Sequence, residues 1–481
     1  MTLILFEDAL CHHFAPLTYT RPVCDLRCGA FTMRERLGSL LATWKDQGRD
    51  QDQNRDETHP SPDNPDAAFN QICRSHLMGL YGPSGGISTL LSQSNPLVLV
   101  NGRALTLDWL SDLLQSPPGT VYVTDTDGTL LGARLSPSLA SAVLYYVQEQ
   151  GATEALEELT RFAHLMKTRI VETRAVLLSY PWDLISQAGE QLIRDLPLLA
   201  HRLPTYVGGD AQVTVREGAH VYVAPSARLD GPLVLDARNG PIFIDEAAHI
   251  EPFTFIQGPA YIGARSLISS ARIRSETSIG PVCRIGGEVE ASIIQGFSNK
   301  HHEGFLGHSW LGEWVNLGAM TTNSDLKNTY GSVRVAIEGM GYLDSSVMKL
   351  GAFLADHVKL GIGIHLTGGA VIGTGSNIFG VHMAPKTVPP FTWGGEVFRE
   401  YRIDSLVQVA QKVMSRRKQT MSPAYEAMLR AVFALTRKSR GELQGVVPPS
   451  LLPSSSNGER EAALAQRAPP ERKSKTLLRR S

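Results

Sequence analysis

Between Ile244 and Ile378 an aliphatic residue returns every six positions. The first run is Ile244, Ile250, Ile256, Ile262 and Ile268, and after a one-residue slip it continues as Ile273, Ile279 and Ile285. A short second run is Leu306, Leu311 and Leu317, and a third is Leu354, Leu360, Leu366, Ile372 and Ile378. A six-residue period fits neither an amphipathic helix nor an alternating strand; it is the period of a hexapeptide β-helix, whose three-sided coils stack their aliphatic corners into one core. Glycine follows many of these residues, as at Gly263, Gly280 and Gly318, which predicts a glycine relieving the tight turn beside each corner. The rhythm is expected to break over residues 288–306, EVEASIIQGFSNKHHEGFL, around the pair His301 and His302.

At 481 residues and 42% hydrophobic content the chain can build two or three domains, each with its own core. A formal net charge of −1 exerts no global pull on nucleic acid or membrane. No apolar run approaches the roughly 20 residues that cross a bilayer, and the start MTLILFEDAL lacks the basic flank and cleavage site of a signal peptide. Five scattered cysteines read as reduced thiols in a cytoplasm, and Cys24 and Cys28, without a second pair, as buried thiols instead of metal ligands.

Residues 1–205 mix strand candidates (Leu3 to Phe6, Leu97 to Val100, Val121 to Val123, Ala175 to Leu178) with helical stretches such as Leu139 to Gln148, an α/β pattern. Within it, 46–70 is polar enough to be a disordered insertion. The repeat domain is expected over 206–392. C-terminal helices follow over 393–445, one capped by Asp404 and running over 405–418, another over 423–435. Residues 446–481 read as a disordered basic tail that serves solubility.

Acyl transfer from a thioester to an amine needs a base near neutral pH, and imidazole has the suitable pKa. The histidine pair in an irregular stretch of a β-helix is therefore the place to look. Asn316, Asn323, Ser324 and Lys327 nearby are polar groups suited to a sugar, a phosphate or a developing oxyanion. Arg272, Arg274 and Arg284 on the preceding coils are weaker phosphate candidates. His308, His357, His365 and His382 read as polar residues on the coil walls.

The stretch EVEASIIQGFSNKHHEGFLGHSWLGEWVNLGAMTTNSDLKN resembles the acetyltransferase half of the bifunctional N-acetylglucosamine-1-phosphate uridylyltransferase/glucosamine-1-phosphate acetyltransferases and their archaeal sugar-1-phosphate relatives. In that family the catalytic histidine stands five residues before the glycine of a Leu-Gly turn, as His302 stands before Gly307, and a sugar-contacting asparagine matches Asn316. The resemblance thus implies His302, not His301, as the base, with Asn316 and Asn323 positioning the substrate and Lys327 and Arg284 supplying charge. Phe305 stands where the family has tyrosine.

The N-terminal LFEDALCHHFAPLTYTRPVCDLRCGAFTMRERL and the later SYPWDLISQAGEQLIRDL resemble a divergent branch of sugar nucleotidyltransferases. The glycine-rich Gly-x-Gly-Thr-x-Met loop is replaced by Pro16 to Pro22, and the Gly-Asp metal site by Asn101-Gly102-Arg103. Arg21, Arg27 and Arg34 are then the expected phosphate clamps, with Asp8, Asp25 or Asp108 as substitute carboxylates.

The resemblance implies an α/β nucleotidyltransferase-like N-terminal domain, a left-handed hexapeptide-repeat β-helix and C-terminal helices. It implies acetyl-CoA as co-substrate, Mg2+ for the N-terminal domain, a sugar phosphate and a nucleoside triphosphate as partners, and a homotrimer. Two alternatives stand beside it: an acetyltransferase with a non-catalytic N-terminal domain, and a zinc-dependent β-helix hydratase using His301, His302 and His308.

Overall fold

The computed structural model describes residues 2–49, 69–93, 95–151, 169–208, 212–380 and 382–441. Its larger part is a left-handed β-helix in which each aliphatic ladder of the sequence becomes a column of parallel register partners. One column runs Ile244, Ile262, Ile279, Ile294, Leu311, Leu354, Ile372 and Val388, all buried. A second joins Ile250, Ile268 and Ile285 to Lys300, then Leu317, Leu360 and Ile378. A third joins Leu235, Ile256, Ile273, Val289 and Leu306, and continues as Asn323 and Leu366. The columns meet in one core, so each coil is stabilised by its neighbours.

Two expectations about this rhythm are corrected. The glycines after the aliphatic residues do not relieve the turns, because the left-handed corner positions are held by residues such as Phe253, Arg265, Val282 and Trp314. Gly263 and Gly280 serve close stacking instead: a Cβ on Gly280 would lie 2.0 Å from the carbonyl oxygen of Gln295 on the next coil. Nor does the rhythm break over 288–306, where Val289, Ile294, Lys300 and Leu306 keep their corners. The true excursion leaves the coil after Asn323 and returns before Leu354, so that Leu311 and Leu354 are register partners on adjacent coils. It carries an antiparallel hairpin, Arg334–Ile337 with Gly341–Asp344, whose Val333, Val335 and Ile337 are buried.

The N-terminal part is a six-stranded mixed sheet in the order 70–72, 2–6, 97–101, 130–135, 120–124, 169–173. Strand 130–135 is antiparallel to both neighbours. Expected strands over 3–6, 97–100 and 121–123 and the helix Pro137–Gln150 are present. The strand expected at 175–178 lies earlier, at Arg169–Thr173. Helix Met33–Arg49 runs into the start of the expected insertion; 50–68 and the tail 446–481 lie outside the described residues.

The chain from Pro16 to Gly29 joins this sheet to the β-helix. Leu17, Val23, Leu26 and Cys28 share a core with Trp310, Phe353 and the excursion's Val335. Helices Ile403–Ser415 and Pro423–Leu435 pack Leu406, Met428 and Leu429 against Ala15, Tyr19 and Phe391. Asp404 falls in the first turn of its helix, with Arg402 at the cap position, so its carboxylate favours the positive end without capping it.

Candidate active site

His302 sits at a corner of the β-helix, exposed, with no hydrogen bond to its ring among the described residues. His301 packs edge-on to it, ring centroids 5.3 Å apart. The Nδ1 atom of His301 is buried without a partner, and burial together with the neighbouring His302 holds that imidazole below its ordinary pKa. On the wall leading to this corner, Arg284, Asn299 and Asn316 are register partners on successive coils. Asn299 donates from Nδ2 to the Asn316 side-chain oxygen at 2.9 Å. Arg284 forms no ion pair among the described residues, and its charge joins burial in pushing the nearby Arg417 down. Arg284 and Asn316 thus lie on the wall whose strand leads into the His302 corner.

Asn323 and Lys327 lie elsewhere. Asn323 occupies the inward place of the third ladder, 5% exposed. Its Oδ1 accepts from the Gly307 N–H at 2.9 Å and its Nδ2 donates to the Gly307 carbonyl at 2.9 Å. An amide spent on a neighbouring coil is a structural clamp, which corrects the expectation of a substrate contact. Lys327 starts the excursion and donates to the Ser332 carbonyl. At this second corner His308 and Asp325 form a pair, Nδ1 to Oδ2 at 2.8 Å, both about one-seventh exposed. The His308 bond and charge hold the Asp325 carboxyl low against the upward push of burial. Sequence reading treats His308 as an ordinary wall residue; its partner is 17 positions away, one coil, which is the available signal.

His302 and His308 flank opposite ends of the strand Phe305–Gly307. Among the described residues no three His, Cys, Asp or Glu side chains converge as metal ligands, so the zinc arrangement of His301, His302 and His308 is not built within one chain. Arg272 and Arg274 are paired with Glu288 at 3.2 and 2.7 Å.

At the carboxyl ends of strands 2–6 and 97–101, Asp8 accepts from Arg103 Nε and Nη2 at 2.7 and 2.6 Å and from Asn101 Nδ2 at 2.9 Å. Arg103 is 1% exposed and its third nitrogen donates to the Leu178 carbonyl. A cavity of about 300 Å³ opens beside it, lined by Leu10, Arg103, Thr124, Asp127, Thr129 and Ser179 among others. The expected clamps do not reach it. Arg21 is buried against Asp356 and Glu313 of the β-helix, the latter at 3.4 Å. Arg27 is buried against Gln295 and Glu35, with its guanidinium over the Tyr261 ring at 5.9 Å. Both arginines join the domains, because a buried guanidinium needs carboxylate and carbonyl partners and the interface supplies them. Of the substitute carboxylates, Asp25 is likewise buried, paired with Arg34 at 2.6 Å. Cys24 and Cys28 are buried free thiols, and burial pushes Cys28 up to about 12.

Residues 3–203 match the family described as sugar nucleotidyl transferase. The chain is 35% identical over 144 residues to the bifunctional sugar-1-phosphate nucleotidylyltransferase/acetyltransferase of Sulfurisphaera tokodaii, covering 29% of this chain and 36% of that protein. It is 25% identical over 232 residues to the bifunctional protein GlmU of Methanococcus maripaludis, 48% of this chain and 50% of that one. A third relative is the GlmU of Acidithiobacillus ferrooxidans, 32% identical over 165 residues, 33% and 30%. The match spans half or less of each of these relatives. The chain is therefore similar to sugar nucleotidyl transferases in its sheet domain and to bifunctional nucleotidyl- and acetyltransferases more broadly.

Proposed function

We propose that this chain is a two-part transferase of nucleotide-sugar biosynthesis. Its β-helix transfers acetyl from acetyl-CoA to the amine of an amino-sugar phosphate. His302 takes the amine proton as nitrogen attacks the thioester carbonyl; the carbon–sulfur bond breaks and the CoA thiolate leaves with a proton returned to it. Asn316 orients the sugar and Arg284 meets the phosphate. The observation that carries this reading is an exposed imidazole at a β-helix corner, without a ring hydrogen bond among the described residues, beside a wall that carries Asn316 and an Arg284 without an ion pair among them.

The same corner carries Met320 and Ile362, 59% and 80% exposed, apolar surface that further copies would cover in a homotrimer. Light scattering should give three times the 52.4 kDa chain mass; a monomer would remove the intersubunit groove. Five free buried thiols suit a reducing cytoplasm, and no described helix is long and apolar enough to cross a membrane.

The sheet domain would couple the product, or another sugar 1-phosphate, to a nucleoside triphosphate. Mg2+ is the usual counter-charge for such a step, yet the Asp8 carboxylate is committed to Arg103 and Asn101. The residues present do not fit a metal held by Asp8, and Arg103 is the fixed positive charge at that place. This pair favours the second reading, an acetyltransferase whose sheet domain does not turn over nucleotide.

The intact chain, given glucosamine 1-phosphate and acetyl-CoA, should release CoA thiol only when both are present. With N-acetylglucosamine 1-phosphate and UTP the two-part reading predicts pyrophosphate release, and the second reading predicts none. Thiol release alone would establish the second reading; neither product would overturn both.

A further inference from the structure

Two of the three core ladders contain one polar side chain each, and one of these is a lysine. Lys300 holds the inward place above Ile285, where the coils from Ile250 to Ile378 otherwise have Ile or Leu, and is 2% exposed. An ammonium in an aliphatic core is costly unless its donors are used. Among the described residues it makes no ion pair. It donates instead to two backbone carbonyls, Gly286 on the coil below at 2.7 Å and His302 at 3.0 Å. Gly287 keeps the path open, since a Cβ there would stand 2.9 Å from the ammonium nitrogen. An aliphatic residue would fill the same space and bind neither carbonyl.

We propose that Lys300 is a positioning residue for acetyl transfer, reaching out of the core to fix the backbone of His302 against the coil that carries Arg284. This rests on His302 as the base. The imidazole hangs on an exposed corner with no ring hydrogen bond among the described residues, so its place is set by its backbone and by His301. Misplacement of a base by about 1 Å is enough to cost on the order of 10²-fold in rate. Burial pushes the ammonium down to about 8, with Glu303 and Glu288 opposing and Arg272 reinforcing that shift.

The test is a double-mutant cycle on the full chain with acetyl-CoA and glucosamine 1-phosphate. Lys300→Met restores an apolar ladder and should lower kcat by about 10-fold to 10²-fold, with both KM values within about threefold. Lys300→Gln, which keeps a shorter donor, should fall between and serves if the Met protein does not fold. Because Lys300 acts through His302, the Lys300→Met/His302→Ala protein should be no slower than His302→Ala alone. A kcat within threefold of wild type for Lys300→Met, or losses that multiply in the double variant, would overturn the proposal. If His302→Ala itself leaves the rate unchanged, the base assignment falls and this proposal with it; loss in His302→Ala without loss in Lys300→Met sinks only Lys300.

Discussion

Asn323 shows how a side chain can read as a substrate contact in sequence and serve as a clamp between coils in space, and Lys300 occupies the same kind of inward corner. Lys300 lies six after Ile294 and six before Leu306, and Asn323 six after Leu317, so the hexapeptide rhythm itself assigns both to core corners. Reading the polar residues as an interruption hides this, because a β-helix corner is normally aliphatic. Asn323→Asp should destabilise the protein by about 2–4 kcal/mol in denaturant titration, since a buried carboxylate keeps the Gly307 N–H but cannot donate to the Gly307 carbonyl. A loss below about 0.5 kcal/mol would show that the clamp is dispensable. For Lys300 the sign runs with pH. Its folded value, about 8, lies below the ordinary 10.5, so the penalty for burying the charge is full below about pH 8 and fades as pH approaches 10.5. The thermal midpoint of Lys300→Met relative to wild type should therefore be more favourable at pH 7 than at pH 10, and an equal difference at both would place the ammonium in a wetter site than the structure shows.

The aliphatic ladders were legible as coils because side-chain period maps directly onto corner position. The excursion was not, since its register resumes only at Leu354 and nothing local marks where a coil is left and re-entered. Its hairpin uses an alternating Val333, Val335 and Ile337 to fill the space between the sheet domain and the β-helix wall. Ile337→Ala should cost about 2–5 kcal/mol by leaving a cavity there, whereas Met340→Ala at the exposed turn should change stability by less than about 0.5 kcal/mol. Equal effects would mean that the hairpin does not pack as described. In the same way the segment Pro16 to Pro22 is legible in the sequence as a departure from the pattern of the family it resembles. Its destination in the domain junction is not, because that depends on partners such as Asp356, more than 300 residues away.

At the scale of the whole molecule, buried ion pairs and a shared apolar core tie the sheet domain to the β-helix, so the two parts should melt in one calorimetric transition. Arg21→Ala, which strands Asp356, should lower stability by about 3–5 kcal/mol. Two well-separated transitions would show that the parts are independent. Coupling of this kind would tie the proposed acetyl site, on an exposed corner, and the proposed nucleotide site, at the ends of the sheet strands, into one folding unit. The most direct test is acetyl transfer by His302→Ala beside His301→Ala, each with the unchanged protein as reference. Loss of about 10²-fold to 10⁴-fold for His302→Ala, with a smaller loss for His301→Ala and native melting for both, is the expected result; an unaltered rate in His302→Ala would contradict the account.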